Sequence, residues 1–343
     1  MPETPAALGY RMPAEWEPHA GTWLSWPHNR ATWPGQFEPI PGVWAELVRT
    51  LAPFEPVHIS AGGEAVMAEA QRLVGDVPNV TLHDIPTNDA WARDHGPLFL
   101  VGPPGAPPAL VHWGFNAWGR KYPRFDLDQR VPERVAETTG YRRFEPGIIL
   151  EGGAVDFNGC GAVLTTEQCV LHENRNPGIS KADIERHLAD YCAVRHVIWL
   201  SKGIVGDDTD GHIDEVARFV GPRTVVAAVA HDSTDPNYGT LRDNLAQLHT
   251  STDEQGRPLE IIELPMPGPT YYKTTRLPVS YTNFYIANGV VIVPQFEDPA
   301  DAAAIDTLAK LFPDRQIRGL PAKQLAWGLG TYHCITQQQA RPE

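Results

Sequence analysis

The stretch GDDTDGHIDEVARF, Gly206 to Phe219, gathers Asp207, Asp208, Asp210, His212 and Asp214, with Glu215 directly after them. If HIDEVARFV forms a strand, His212 and Asp214 share a face, because side chains alternate along a strand. That pairing suits a histidine that moves protons beside a carboxylate that holds a cation. A solvated acidic loop is the competing reading. A calcium loop is excluded: with Gly211 as sixth position, Gly206 falls first and Ala217 twelfth, and neither carries a ligand oxygen on its side chain.

Two further carboxylates stand in unusual surroundings. In NDAWARDHGPLF, Asp94 lies close to Trp91 and just before a Gly-Pro break. An aspartate and a tryptophan together recognise a planar cation, one by paired hydrogen bonds and the other by its π face. A surface Arg93–Asp94 pair with a core tryptophan is the plainer alternative. In LEGGAVDFNG, Glu151 ends the apolar run GIILE. A carboxylate entering a buried strand must be paired or functional, since burying it alone is costly; a loop cap is the alternative.

The segment GLGTYHCITQQQ, Gly328 to Gln339, carries Cys334. In a strand His333 and Cys334 face opposite ways, so the acid-base partner of the thiol must come from elsewhere, and His212 is the natural choice. One cysteine with a distant histidine and carboxylates is the pattern of cysteine nucleophilic catalysis. Cys169 and Cys192, and Cys160 if its NGCG turn is tight, read as small buried hydrophobes.

Composition narrows the classes of function. The 343 residues hold 28 Lys and Arg against 42 Asp and Glu, a formal charge of -14. Bulk attraction to nucleic acid or to an anionic membrane is thereby disfavoured, and a small cationic partner suits the surface. The start MPETPAALGYRMPAEWEP has no basic end followed by an apolar run, and nowhere do eighteen apolar residues stand together, so a soluble cytoplasmic protein is expected. The sparse cysteines form neither a disulfide framework nor a four-cysteine zinc pattern, and reduced thiols are expected.

The elements that must position these residues show two rhythms. SKADIERHLADYC begins with Ser180 and Asp183 as a capping box and places Ile184, Leu188 and Tyr191 on one face. Asp298-Pro299 opens DPADAAAIDTLAKLF, and GVWAELVRTLAPF, EAVMAEAQRLVG and TLRDNLAQLHT read as helices too. Between them, GGAVDFNGCGAVLTT and YTNFYIANGVVIVPQF are β-like pairs broken by Asn-Gly, and VARFVGPRTVVAAVA turns through Gly-Pro-Arg. Polar clusters (ARDHG, EGG, GHIDE, YTN) precede or enter these pairs. From Asp94 to Glu151 is 57 residues, to His212 61 more, to Asn283 71, and to Cys334 51. Spacings of this length predict a repeat architecture that gathers equivalent strand ends, with EPHAGTWLSWP starting the first unit. VGPPGAPPA is a loop within a unit, so one domain, 1–343, is expected.

Taken together, EWEPHAGTWLSWP, WARDHGP, GFNAWG, LEGGAVDFNGCGAVLTTEQC, HENRNP, DDTDGHIDEVARF and GTYHCITQQQ resemble the agmatine deiminase family, the peptidyl-arginine deiminase-like branch of the guanidine-modifying enzymes. The resemblance spans residues 15 to 339. It implies an α/β fold, a five-bladed pseudo-symmetric α/β propeller (the pentein fold). It also implies a nucleophile at Cys334, an acid and base at His212, guanidinium-holding carboxylates at Asp94 and Asp214, and Glu151 pairing with the histidine. Trp91, Trp118 and Asp208 match positions near the substrate.

The implied reaction is hydrolysis of agmatine to N-carbamoylputrescine and ammonia, a step toward putrescine, through an amidino-cysteine intermediate. It calls for no metal and no cofactor; the expected partner is a small cationic guanidino substrate, with a homodimer as a compatible assembly. The sequence departs from the family pattern at Leu329, which interrupts a glycine run, and in DDTDGHIDE, where well-known members have Asn in the loop and after the Asp. Deimination of peptidyl-arginine or another guanidino compound, and binding without turnover, are the alternatives. A papain-like protease fits less well, since its nucleophile opens a helix early in the chain.

Overall fold

The computed structural model describes residues 3–342; Met1, Pro2 and Glu343, at the ends of the expected 1–343 domain, lie outside the described residues. Among the described residues, five sheets repeat one plan. In each, a first strand runs antiparallel to a second, and a third lies parallel to the second. The first sheet holds β1 (His19–Ser25), β2 (Val57–Ser60) and β3 (Val80–His83), all parallel. The next three are built from β4 (Leu98–Leu100), β5 (Ala109–Val111) and β6 (Arg142–Phe144), then β7 (Val155–Phe157), β8 (Ala162–Thr166) and β9 (His196–Leu200), then β10 (Ala217–Phe219), β11 (Thr224–Val229) and β12 (Glu260–Pro265). A small hairpin, β13 (Tyr271–Tyr272) and β14 (Thr275–Arg276), precedes the fifth sheet of β15 (Tyr285–Ala287), β16 (Val290–Gln295) and β17 (Gln316–Pro321). The last strand, β18 (Gln337–Ala340), pairs antiparallel with β1, Trp23 opposite Gln337, and so supplies the first strand of the first sheet.

The connections follow from this pairing. Adjacent parallel strands need a crossover, and each second and third strand is joined by one: the helices Ile40–Leu51, Val131–Thr139, Lys181–Cys192, Tyr238–Thr250 and Asp301–Leu311. Glu64–Val74 adds a further crossover from β2 to β3. The middle strands β5, β8, β11 and β16 are near-continuous apolar runs because they are covered on both faces; Val290 to Val293 are fully buried.

Much of the expected punctuation is present. Ser180 and Asp183 form the capping box, with Ile184 and Leu188 buried. Asn288 and Gly289 make the two-residue turn between β15 and β16, Gly289 at φ 77°. Each polar cluster stands just before a first strand: ARDHG before β4, EGG before β7, GHIDE before β10, YTN before β15 and YHC before β18. Four expectations are corrected. HIDEVARFV is not one strand; Ile213–Glu215 is a 3-10 turn and the strand begins at Ala217. Cys334 lies in the turn before β18, not in a strand. The fifth helix starts at Asp301 because Asp298 turns the chain over Pro299, its carboxylate accepting from Ala300 N at 2.9 Å. EPHAGTWLSWP provides the second strand of its sheet, the first coming from β18.

Candidate active site

The turns ahead of the first strands converge, and they bring the predicted residues together. Cys334 Sγ lies 3.9 Å from Asp214 Oδ2 and 3.2 Å from Asn283 Nδ2. The orientation of the Asn283 amide is fixed because its Oδ1 accepts from the Thr331 hydroxyl at 2.6 Å and from His333 N at 3.1 Å, leaving Nδ2 to donate to sulfur. Cys334 and Asp94 line one cleft with Trp91, Trp118 and, nearer its mouth, Asp208, Tyr122, Tyr272, Trp327 and Leu329.

Asp94 lies within the short helical turn Ala92–His95, whose Arg93 N donates to Cys334 O at 3.1 Å and ties the two segments. Its Oδ2 accepts from Trp118 Nε1 at 2.8 Å, and its Oδ1 accepts from Gly153 N at 3.1 Å and sits 3.7 Å from His212 Nδ1. The other imidazole nitrogen, Nε2, is 3.9 Å from Glu151 Oε2. Gly153 is required by this close approach: a Cβ there would stand 2.5 Å from His212 Nδ1 and 2.8 Å from Asp94 Oδ1. Gly330 is required likewise, since a Cβ would stand 2.6 Å from the Trp91 ring. Glu151 is buried and its Oε1 accepts from Arg175 Nε at 2.7 Å, which answers the cost of its burial.

The site is electrostatically divided. Burial raises Asp94, with Asp214 and Glu151 adding to it and His212 and Trp118 opposing, to a pKa of about 6. Burial also disfavours charge on Glu151, but Arg175 and His212 outweigh it and hold that carboxyl down to about 2. Burial opposes the imidazolium of His212, yet Asp94, Cys169 and Glu151 overcome it and place its pKa well above the ordinary histidine value. The Cys334 thiol is pushed well up by burial and then by Asp214, Glu215 and Asp94. Before a cation arrives, the pair is therefore a neutral thiol and a charged imidazole.

Several expectations change here. His333 does not simply turn away: its Nδ1 is 2.7 Å from Asp214 Oδ2 and its Nε2 2.9 Å from Glu15 Oε2, so it fixes the carboxylate that faces the thiol. Arg93 forms no surface pair with Asp94; it is buried and reaches Glu15 Oε2 at 3.1 Å and Gln338 Oε1 at 2.7 Å. Cys160 is exposed, and Cys169 is buried but adjoins the site, its sulfur within 4.8 Å of both Glu151 and His212. That trio and Asp214–Glu215–Cys334 have the donor types of metal sites. In the first, the Arg175 guanidinium on Glu151 and the charge on His212 oppose a cation. Asp208 accepts from the Tyr122 hydroxyl at 2.9 Å and stands at the cleft mouth.

Sequence reasoning missed a buried ionic layer beneath these residues. Glu15 takes Arg218 Nη2 at 2.9 Å, Arg93 Nη2, His333 Nε2 and the Ile286 N–H at 2.8 Å. One carboxylate thus links the segments carrying Asp94, Asp214, Asn283 and Cys334. The one local sign was at Glu15 and Arg218, each a charged residue between apolar neighbours, whereas Arg175 stands between two asparagines and carried none.

The geometry has counterparts among known proteins. A family model described as Porphyromonas-type peptidyl-arginine deiminase matches residues 11–340. An agmatine deiminase of Pseudomonas aeruginosa (strain LESB58) is 39% identical, covering 99% of this chain and 98% of that protein. The solved agmatine deiminase of Enterococcus faecalis superposes with a TM-score of 0.93 at 33% identity, covering 98% of this chain and 97% of the other. A dimethylarginine dimethylaminohydrolase, 12% identical at a TM-score of 0.51 over 93% of this chain and 99% of its own, shares the α/β fold with mixed sheets. With its repeated sheets, its convergent polar turns and this full-length match, the chain belongs to the Porphyromonas-type peptidyl-arginine deiminase family.

Proposed function

We propose that this chain hydrolyses the guanidino group of agmatine to N-carbamoylputrescine and ammonia. The observation that carries the reading is that Cys334 and Asp94 line one cleft while Asp214 stands against Cys334, His212 against Asp94 and Glu151 against His212, in a chain whose full-length relatives are named agmatine deiminases. A guanidinium is a delocalised cation and a poor electrophile, so it must be fixed by carboxylates and met by a strong nucleophile. Asp94 and Asp214 are the fixing pair. The cation between them offsets the negative field on Cys334 and favours the thiolate, which the empty site does not.

The thiol gives its proton to solvent as the cation binds, and attack by the Sγ thiolate on the guanidinium carbon gives a neutral tetrahedral adduct. His212, already charged, protonates the departing nitrogen, and ammonia leaves an amidino-cysteine. The now neutral His212 takes a proton from water as it attacks, and Sγ is the leaving group. Glu151, itself fixed by Arg175, is the counter-charge for the imidazole. Trp91 and Trp118 wall the reacting group, and Asp208 faces the distal ammonium, which suits a substrate charged at both ends. We further infer one catalytic domain whose five sheets stand as blades around the convergent turns, a cytoplasmic location and a homodimeric assembly.

The test is turnover of agmatine, free arginine and an arginine peptide side by side, with mass spectrometry of protein quenched during turnover. Agmatine is expected to be preferred, with an amidino adduct on Cys334. A preference for the peptide would shift the assignment to peptidyl-arginine, and full ammonia release by Cys334→Ala would refute the mechanism.

A further inference from the structure

One acid of the centre has no part in this scheme. Glu215, in the turn Ile213–Glu215, is 3% exposed, forms no hydrogen bond or ion pair with the described residues, and leaves Oε2 buried without a partner among them. Asp214 Oδ1 is buried and unpartnered as well. A carboxylate oxygen of each and Cys334 Sγ lie within 4.8 Å of one another. A buried, unpaired carboxylate is strongly disfavoured, whereas a carboxyl that keeps its proton is tolerated. Burial, followed by the charges of Asp214 and Asp207 and against those of His212 and Arg218, drives Glu215 toward the neutral form.

We propose that Glu215 is an acid of the substrate site that holds a proton beside Asp214 and Cys334 while the site is empty and surrenders it when a guanidinium cation enters. A cation poised for attack by Sγ must stand next to that sulfur, and so within strong Coulomb range of Glu215 in a water-poor interior. The proton goes to the buffer and leaves one more negative charge beneath the cation. An empty site thus avoids two adjacent buried carboxylates, and a filled one gains a counter-charge that only a cation can elicit. The groups facing Glu215 are Asp214, Asp207, His212, Arg218 and Cys334, and all but Cys334 are common to the two states compared below.

The inference rests on the guanidino reading, and its test separates the two. Titration calorimetry of Cys334→Ala with agmatine in buffers of different ionisation enthalpy at pH 8 counts protons released without thiol titration or turnover. Asp94 is already ionised there. Compared with that protein, the Cys334→Ala, Glu215→Gln double variant is expected to release about one proton fewer per bound cation. Glutamine reproduces the shape and neutrality of the protonated acid. Should it still fail to fold, infrared difference spectra of Cys334→Ala alone must lose a protonated-carboxyl band on ligand addition. Equal proton release by the two proteins, or no loss of that band, overturns the role of Glu215. Methylguanidinium, which carries only the cationic head, is the second ligand. Proton release with it but no binding of agmatine would sink the agmatine reading while leaving Glu215 in place.

Discussion

Trp118→Phe tests whether the indole acts on the chemistry or merely walls the cleft. Its Nε1 donates to Asp94 Oδ2 at 2.8 Å and opposes the burial that lifts this carboxyl to about 6. Phenylalanine keeps a ring against Phe115, whose centroid lies 5.3 Å away edge-on. A hydrogen bond to a charged group contributes about 1.5–3 kcal/mol, and about 1.36 kcal/mol corresponds to one pH unit, so its loss raises Asp94 to about 7–8. At pH 7 the ionised fraction then drops from about nine-tenths to between about a half and a tenth. Asp94 holds the cation only when ionised, so binding competence exists above its pKa and is lost as pH falls through it; the variant moves that window upward. Ammonia release from agmatine between pH 5.5 and 9 is expected to show kcat/KM reduced about two- to tenfold at pH 7 from this cause, with recovery at pH 9. A loss by the same factor at every pH would mean that the ring works through packing alone.

Glu15→Gln removes the charge shared by Arg93, Arg218 and His333, and breaking so buried a network costs about 3–5 kcal/mol. Burial opposes the Glu15 charge, but these partners hold its pKa well below 4.5, so its contribution is complete above about 4.5 and fades as pH falls below it. The gap in urea midpoint between wild type and variant should therefore narrow in acid, and a constant gap from pH 7 to 3 would contradict this. Leu329→Gly removes a side chain from the cleft wall and relieves a left-handed residue at φ 72°, a conformation that costs a branched side chain about 1 kcal/mol. Thermal stability is expected to hold or rise while KM for agmatine increases; a clear fall in stability would show that the packing of Leu329 outweighs its strain.

The repeat was legible because each unit carries its own local punctuation: Asn-Gly hairpins, a capping box, and a polar cluster ahead of an apolar strand. His212, Asp214, Asp94, Glu151 and Cys334 could be picked out as candidates because a reactive type stood at a strand entrance, and the fold brings them close together. Strand alternation misjudged His333, since the chain there is a turn and the ring swings to Asp214 and Glu15. Glu15, Arg175 and Arg218 were hidden for a different reason. A charged residue discloses its burial only when its partners are known, and those partners lie far along the chain, as Arg218 does from Glu15. Asn283 had been marked as part of the repeat, but nothing local tells that its amide would donate to sulfur.

The pairing of β18 with β1 has a consequence for biosynthesis. Trp23 and Gln337 stand opposite each other in the sheet although 314 residues separate them along the chain, so the first sheet cannot be completed until β18 has been made. Until Gln337–Ala340 emerge, one edge of β1 has its backbone donors and acceptors unpaired, a template for wrong partners, and closing so long a loop is slow. The nucleophile arrives with the strand that cures this hazard. A ribosome-bound chain still lacking that segment has neither a finished first sheet nor the Cys334 thiol, so the edge of β1 is closed and the proposed nucleophile supplied by one and the same stretch.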